Sequence, residues 1–184
     1  INGLPFYRAE NIVNLSALLD ISPEQIANFA SPALIKAVVA QRSKKSPEEI
    51  AEIESSLNVS YEMHTLAMQM AKPGLYEREI AGKLEGLALA KGYRLAFPTI
   101  FSIHGEFLHN PFYNNCMQEG DIIIHDSGVE SPSCYASDIT RTIPASGKFT
   151  AMQKDIYSVV LNTQETAIQS IRPGIEYREV HRTA

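Results

Sequence analysis

Apolar positions along the chain follow two rhythms, one of three to four residues and one of two, in different stretches. Residues 9–19 place Ile12, Leu15, Leu18 and Leu19 at helical spacing, and Ser22-Pro23-Glu24-Gln25 reads as the opening of another short helix. Residues 1–6 carry turn formers, and Ser31-Pro32-Ala33 opens a segment over 34–39 ahead of the basic stretch 41–45. Ser46-Pro47-Glu48-Glu49 is a strong helix start: a serine to cap, a proline whose missing N–H is harmless in the first turn, and a glutamate placed to close a capping box. Ile50, Ile53, Leu57, Tyr61, His64 and Met68 continue at steps of three and four until Pro73-Gly74. A second helix is predicted over 77–91, with Ile80, Leu84 and Leu87 on one face and Gly92 as a left-handed cap. Past Gly92 the pattern turns to β, predicting strands over 95–103, 121–126 and 135–143. Thr150 with Gln153 opens a third long helix carrying Ile156, Val159, Val160, Thr163, Ala167 and Ile171, and Pro173-Gly174 stops it.

The two Pro-Gly stops repeat each other. Lys72-Pro73-Gly74-Leu75-Tyr76-Glu77-Arg78-Glu79-Ile80 aligns with Arg172-Pro173-Gly174-Ile175-Glu176-Tyr177-Arg178-Glu179-Val180 at an offset of 100 residues, each after a long capped helix. Basic-Pro-Gly-apolar is a common helix junction, but the added Arg-Glu-apolar agreement points to an internal duplication. The first copy leads into a helix and then a sheet; the second reaches Ala184 where its own helix should begin. On this reading the chain ends inside the second half of a duplicated α/β unit. Residues 1–40 read as the tail of a preceding domain and residues 41–184 as the first half of the duplicated one.

Composition narrows the function classes. The 184 residues, 45% hydrophobic and 20% charged, belong to the globular range. Sixteen Lys and Arg against 21 Asp and Glu, a formal charge of −5, argue against a general electrostatic grip on nucleic acid or anionic lipid. No apolar run approaches the ~18 to 20 residues that span a bilayer, and residues 1–40 lack a secretory leader pattern, so the expectation is a soluble, cytoplasmic protein. Cys116 and Cys134 fit free thiols, although one disulfide is compatible with a single pair.

Candidate chemistry concentrates in Gly120-Asp121-Ile122-Ile123-Ile124-His125-Asp126-Ser127-Gly128 and Tyr135-Ala136-Ser137-Asp138-Ile139-Thr140-Arg141-Thr142. If these strands pair antiparallel about Pro132, Asp126 and Asp138 stand opposite one another on one face, Cβ atoms about 4.5 to 5.5 Å apart. Carboxylates that close repel unless they share a proton or a cation. A two-metal hydrolase site, a proton-sharing acid dyad and a pair of ordinary turn and strand-edge aspartates are the competing readings. Asp126 follows three isoleucines and Asp138 sits beside Thr140, Arg141 and Thr142, a context that lowers the weight of the ordinary-aspartate reading. His109 lies just ahead of these strands and could act as a donor to a polarised carbonyl or its leaving group, with His104 as nearest rival. His125 alternates with Asp126 and should point to the other face, His64 should pack on its helix, and His181 lies close to Ala184.

Arg42 to Ile50, Lys72 to Ile80, Ala96-Phe97-Pro98-Thr99-Ile100, Leu108-His109, Gly120 to Gly128 and Ser137-Asp138-Ile139-Thr140-Arg141-Thr142, taken in order, resemble the pita-bread metallopeptidases. The likeness is strongest to the branch of aminopeptidase P and prolidase, and covers about residues 41–184. It implies an α/β (α+β) pita-bread fold, first half only, with a curved, mainly antiparallel sheet and long helices on one side. It implies a hydrolase that releases an N-terminal residue ahead of proline by a water activated between two divalent cations, with manganese favoured and zinc or cobalt compatible. Asp126 and Asp138 map onto metal-binding aspartates and His109 onto the substrate-side histidine, with Tyr135 and Thr140 as candidates to orient the carboxylates. The family also needs a histidine and two glutamates that nothing here matches, so the 184 residues alone are expected to hydrolyse nothing and to hold metal weakly. Prolidase action on Xaa-Pro dipeptides is the alternative within the branch, and a non-catalytic peptide-binding module is the alternative outside it. An apolar face left uncovered would favour association, a homodimer included.

Overall fold

A computed structural model describes residues 9–29 and 31–184, so the turn-rich 1–6 stretch lies outside the described residues. The chain divides into two compact units, one ending at Pro47 and one running from Glu48 to Ala184. In the first, α1 (Ala9–Leu19) is followed by a 3-10 helix (Pro23–Phe29) and α2 (Pro32–Ser43). Ser31 caps α2 by accepting from the Leu34 amide at 3.2 Å, and Pro32 fills the first turn.

The second unit begins with α3 (Pro47–Met70), started by the Ser46-Pro47 signal, and α4 (Glu77–Ala90) follows. Gly74 at φ 91° sits in the turn between them and Gly92 at φ 82° in the turn after α4, both in a left-handed conformation that an L side chain disfavours. Five strands, β1 (Arg94–Leu95), β2 (Ile100–Ser102), β3 (Ile122–Ser127), β4 (Val129–Glu130) and β5 (Ile139–Pro144), form a two-stranded and a three-stranded sheet, and every strand pair is antiparallel. β3 lies between β2 and β5, while β4 leaves that ladder to pair with β1. The expected strand over 95–103 is thus two short ones. Pro98 has no N–H to donate to a ladder, and residues 96–99 leave strand pairing between the two. α5 (Ala151–Ser170), opened by a capping box of Thr150 and Gln153, and α6 (Tyr177–Thr183) complete the chain.

Strand alternation decides which chemistry faces which way. Ile123, His125 and Ser127 are buried with Val59, Met63, His64 and Ala67 of α3 and Ile80, Leu84 and Ala88 of α4 among the core residues. The His125 ring stacks on His64 with centroids 3.9 Å apart and meets the Phe101 ring edge-on at 5.5 Å. Ser127 Oγ lies 2.9 Å from His125 Nε2. Small side chains on α3 let it approach the hairpin: Ser56 Oγ donates to the Tyr135 carbonyl at 2.8 Å, and Ser60 Oγ lies 2.7 Å from Ser137 Oγ. Ile122, Ile124 and Asp126 take the alternate face.

The duplicated motif folds the same way twice. Gly174 sits at φ 87°, and Ile175 donates to the Arg172 carbonyl as Leu75 does to that of Lys72. The copies differ in what they cover. Val59 and Ser60 are buried on α3, whereas their counterparts Val159 and Val160 on α5 are 63% and 62% exposed.

Burial holds the His125 imidazole neutral, its pKa pushed down to about 3, with neighbouring His64 adding to the shift. Burial likewise lowers the pKa of His64. Both rings titrate near 6.5 once unfolded, so their contribution is complete above that pH and is lost as pH falls towards the folded values. Below pH ~6 His125 alone should remove about 1.4 kcal/mol of stability per pH unit. Urea unfolding at pH 7 and 5 should show this decline, and a His125→Gln variant should flatten it.

Candidate functional site

The β3–β5 ladder pairs Asp126 with Thr140 and Ser127 with Ile139, and the pairing runs on through Glu130 and Ala136. Asp126 therefore stands opposite Thr140, with Asp138 its diagonal neighbour on the same face rather than its direct partner. The hairpin is centred on Ser133 rather than Pro132, because its tip holds two more residues than that reading allows. Cys134 donates to the Ser131 carbonyl at 2.8 Å to close a turn around Pro132 and Ser133, and then takes a left-handed φ of 64° before Ser131 pairs with Tyr135. A turn followed by a left-handed residue is a common three-residue hairpin loop, and it shifts the register. The aspartates still share a face because the shift keeps the two-residue period.

Gly128 brings the two strands together at this level. A Cβ there would lie 1.9 Å from the Ser137 carbonyl oxygen and 3.0 Å from the Phe97 ring. The Gly128 carbonyl accepts from Ala96, and Ser137 bonds Val129 through both its amide and its hydroxyl, so the backbone flanking Asp138 is fixed on two sides.

A cavity of about 350 Å³ opens over the pair, lined by Asp126, Asp138, His109, Phe97, Pro98 and Ile100 with Asn110 and Pro111. Burial raises the Asp126 pKa, Thr140 opposes that by hydrogen bonding the carboxylate, neighbouring Asp138 raises it, and His109 lowers it. Asp126 Oδ1 is buried with no hydrogen-bond partner. An acceptor left bare in that way costs free energy unless something positive meets it. His109 adopts φ 54°, a left-handed conformation uncommon for an L side chain. His104 turns aside to Glu106 at 3.0 Å, and His125 lies on the buried face. The Tyr135 hydroxyl donates to Glu49 Oε1 at 2.8 Å, tying the hairpin tip to the start of α3.

The donor set suits hard divalent cations as far as it goes: carboxylate oxygens, one of them bare, beneath an open cavity. Among the described residues no three His, Cys, Asp or Glu side chains gather closely enough to hold a metal alone. Phe97, Pro98 and Gly128 carry roles that residue chemistry did not announce. A proline interrupting a β pattern and a glycine beside a candidate ligand are the signals that could have marked them.

The sequence pattern of metallopeptidase family M24 matches residues 51–184. The chain belongs to this family. Its relatives include the Xaa-Pro aminopeptidase of Escherichia coli K12, 36% identical over 94% of this chain, and a probable Xaa-Pro aminopeptidase of Chaetomium globosum, 35% identical over 79%. Aminopeptidase PepP of Pseudomonas aeruginosa superposes with a TM-score of 0.79 at 30% identity, over 97% of this chain and 42% of that one. A variant of E. coli aminopeptidase P in complex with substrate superposes at 0.76 with 33% identity, over 96% and 42%. The chain spans 40% of the E. coli relative and 25% of the fungal one. These likenesses agree with the mixed helical and antiparallel pita-bread fold, and the M24 family is one of metal-dependent hydrolases.

Because Gly128 meets rigid backbone, Gly128→Ala should cost on the order of 2 kcal/mol or more in urea unfolding and spread the two aspartates apart. Gly86, exposed inside α4 with nothing within 4 Å, is the control: Gly86→Ala should stabilise by about 0.5 to 1 kcal/mol.

Proposed function

We propose that this chain contributes two metal-holding carboxylates and a substrate-side histidine to an aminopeptidase that releases an N-terminal residue ahead of proline. The buried, unpartnered Oδ1 of Asp126, a residue that lines a cavity together with Asp138 and His109, carries the reading. Names of relatives alone would not place the chemistry on these side chains; the bare acceptor supports doing so.

In this reading Asp126 and Asp138 hold divalent cations, for which an oxygen-rich set favours manganese and accepts zinc or cobalt. Such cations, when bound, supply positive charge that acidifies a water and polarises a carbonyl. Thr140 hydrogen bonds the Asp126 carboxylate, whose Oδ1 stays bare. His109, which lines the same cavity, donates to the peptide at the carbonyl or the departing proline nitrogen. Phe97 and Pro98 close the apolar side of the cavity and exclude water from the peptide. Residues 1–40 belong to a domain ahead of the catalytic one, and the protein acts in the cytoplasm, where a homodimer is compatible with the exposed apolar stripe of α5.

The test is cleavage of Xaa-Pro peptides with Mn2+ by a protein of the relatives' full length that contains this chain. Cleavage is expected, with kcat/KM lowered at least about a hundredfold by Asp126→Asn and by about ten- to a hundredfold by His109→Ala. The 184 residues alone should not turn over. A full-length protein that neither binds Mn2+ nor cleaves such peptides would refute the proposal.

A further inference from the structure

His109 is carried on an irregular stretch between β2 and β3, and the stretch itself is short of regular support. Phe107 donates to the His104 carbonyl, Phe112 donates to Asn110 Oδ1 at 3.0 Å, and between these turns His109 holds its left-handed conformation. At its start Gly105 lies flush against β3, where a Cβ would come within 2.4 Å of Ile124 Cδ1.

Both ends of this stretch converge on one side chain. Glu77, in the first turn of α4, is fully buried. Its Oε1 accepts from the Ile103 amide at 2.9 Å, and its Oε2 accepts from the Asn115 amide at 3.2 Å. The Asn115 side-chain amide donates to both oxygens at 3.0 Å, and the Glu77 amide donates back to the Asn115 carbonyl at 3.0 Å. Ile103 and Asn115 are the residues that bracket 104–114, so one carboxylate joins the loop's two roots, the second of which is also held by backbone pairing of Leu75 with Met117. A carboxylate buried this deeply is retained only where donors fill its lone pairs, and here the donors are the loop's own.

The duplication isolates this device from the framework. The second copy keeps the Pro-Gly turn, the arginine and the following glutamate, yet has Tyr177 where the first has Glu77, and Tyr177 is 87% exposed. The turn-to-helix junction therefore forms without a carboxylate at this position. In the first copy that carboxylate serves the loop that presents His109.

We infer that Glu77 is a positioning residue, which holds His109 over the Asp126–Asp138 face by closing both roots of the 104–114 loop. The inference rests on the functional reading above. A root-clamped loop leaves the histidine little freedom to leave its near-contact geometry, and small displacements of such a group weaken catalysis steeply.

The test uses the 184-residue chain with Glu77→Gln, which keeps the size of the side chain but sets N–H donors against donors. Amide exchange followed by NMR should speed up about tenfold or more across 104–114 while residues 122–127 and 139–144 keep their protection. Mn2+, added as a paramagnetic probe, should broaden His109 ring signals less in the variant while broadening of the Thr140 methyl is unchanged. Asn115→Ala, which removes the bridging amide and leaves the carboxylate, should reproduce both changes in weaker form and decides the matter if Glu77→Gln does not fold. Unchanged exchange over 104–114, or an equal rise across the whole sheet, would overturn the inference. If Mn2+ fails to broaden Thr140 in the unsubstituted chain, the metal reading of the aspartates falls instead, and the exchange comparison alone decides the role of Glu77.

Discussion

The pairing of β3 with β5 governs everything else in the second unit. A strand offers its residues alternately to two faces, so fixing Ser127 and His125 in the core leaves Asp126 no choice but the open side. The histidine stack, the Ser127 hydroxyl and the serines of α3 hold the first face. The bare oxygen of Asp126 and the cavity above it are what remains on the second. Stability and candidate chemistry are thus two sides of one ladder, with a buried polar cluster behind the strand and an unsatisfied carboxylate in front.

Much of this was legible in the residues. Helix starts at Pro47 and Ala151 followed from capping chemistry, and the shared face of Asp126 and Asp138 followed from the two-residue period. Their direct opposition did not, because the register depends on a left-handed Cys134, and nothing in a cysteine announces a conformation more often taken by glycine or asparagine. The split of the first predicted strand was written in Pro98, whose missing N–H weighs more than the apolar pattern around it. Buried Glu77 escaped notice for a similar reason: an acidic residue in a first helical turn reads as a favourable dipole contact, and only the fold brings Ile103 and Asn115 to it.

The internal repeat gives the comparison of the two copies its force. Equivalent turns form at Gly74 and Gly174, so the shared motif encodes a junction. The first copy buries its helix stripe and clamps a loop; in the second the matching stripe on α5 lies exposed and a tyrosine replaces the clamp. Membership of the M24 family sets these features in a metallopeptidase frame, and the chain covers two fifths of its E. coli relative.

The central claim is that the open face of β3 and β5 is built to receive divalent cations through Asp126 and Asp138. Crystals of the chain grown with millimolar Mn2+, measured for anomalous scattering, test this most directly. The account predicts a peak in bonding contact with Asp126 Oδ1 and within reach of Asp138, lost in an Asp126→Asn variant. Well-ordered carboxylates without a peak between them, or a peak seated only elsewhere on the molecule, would contradict it.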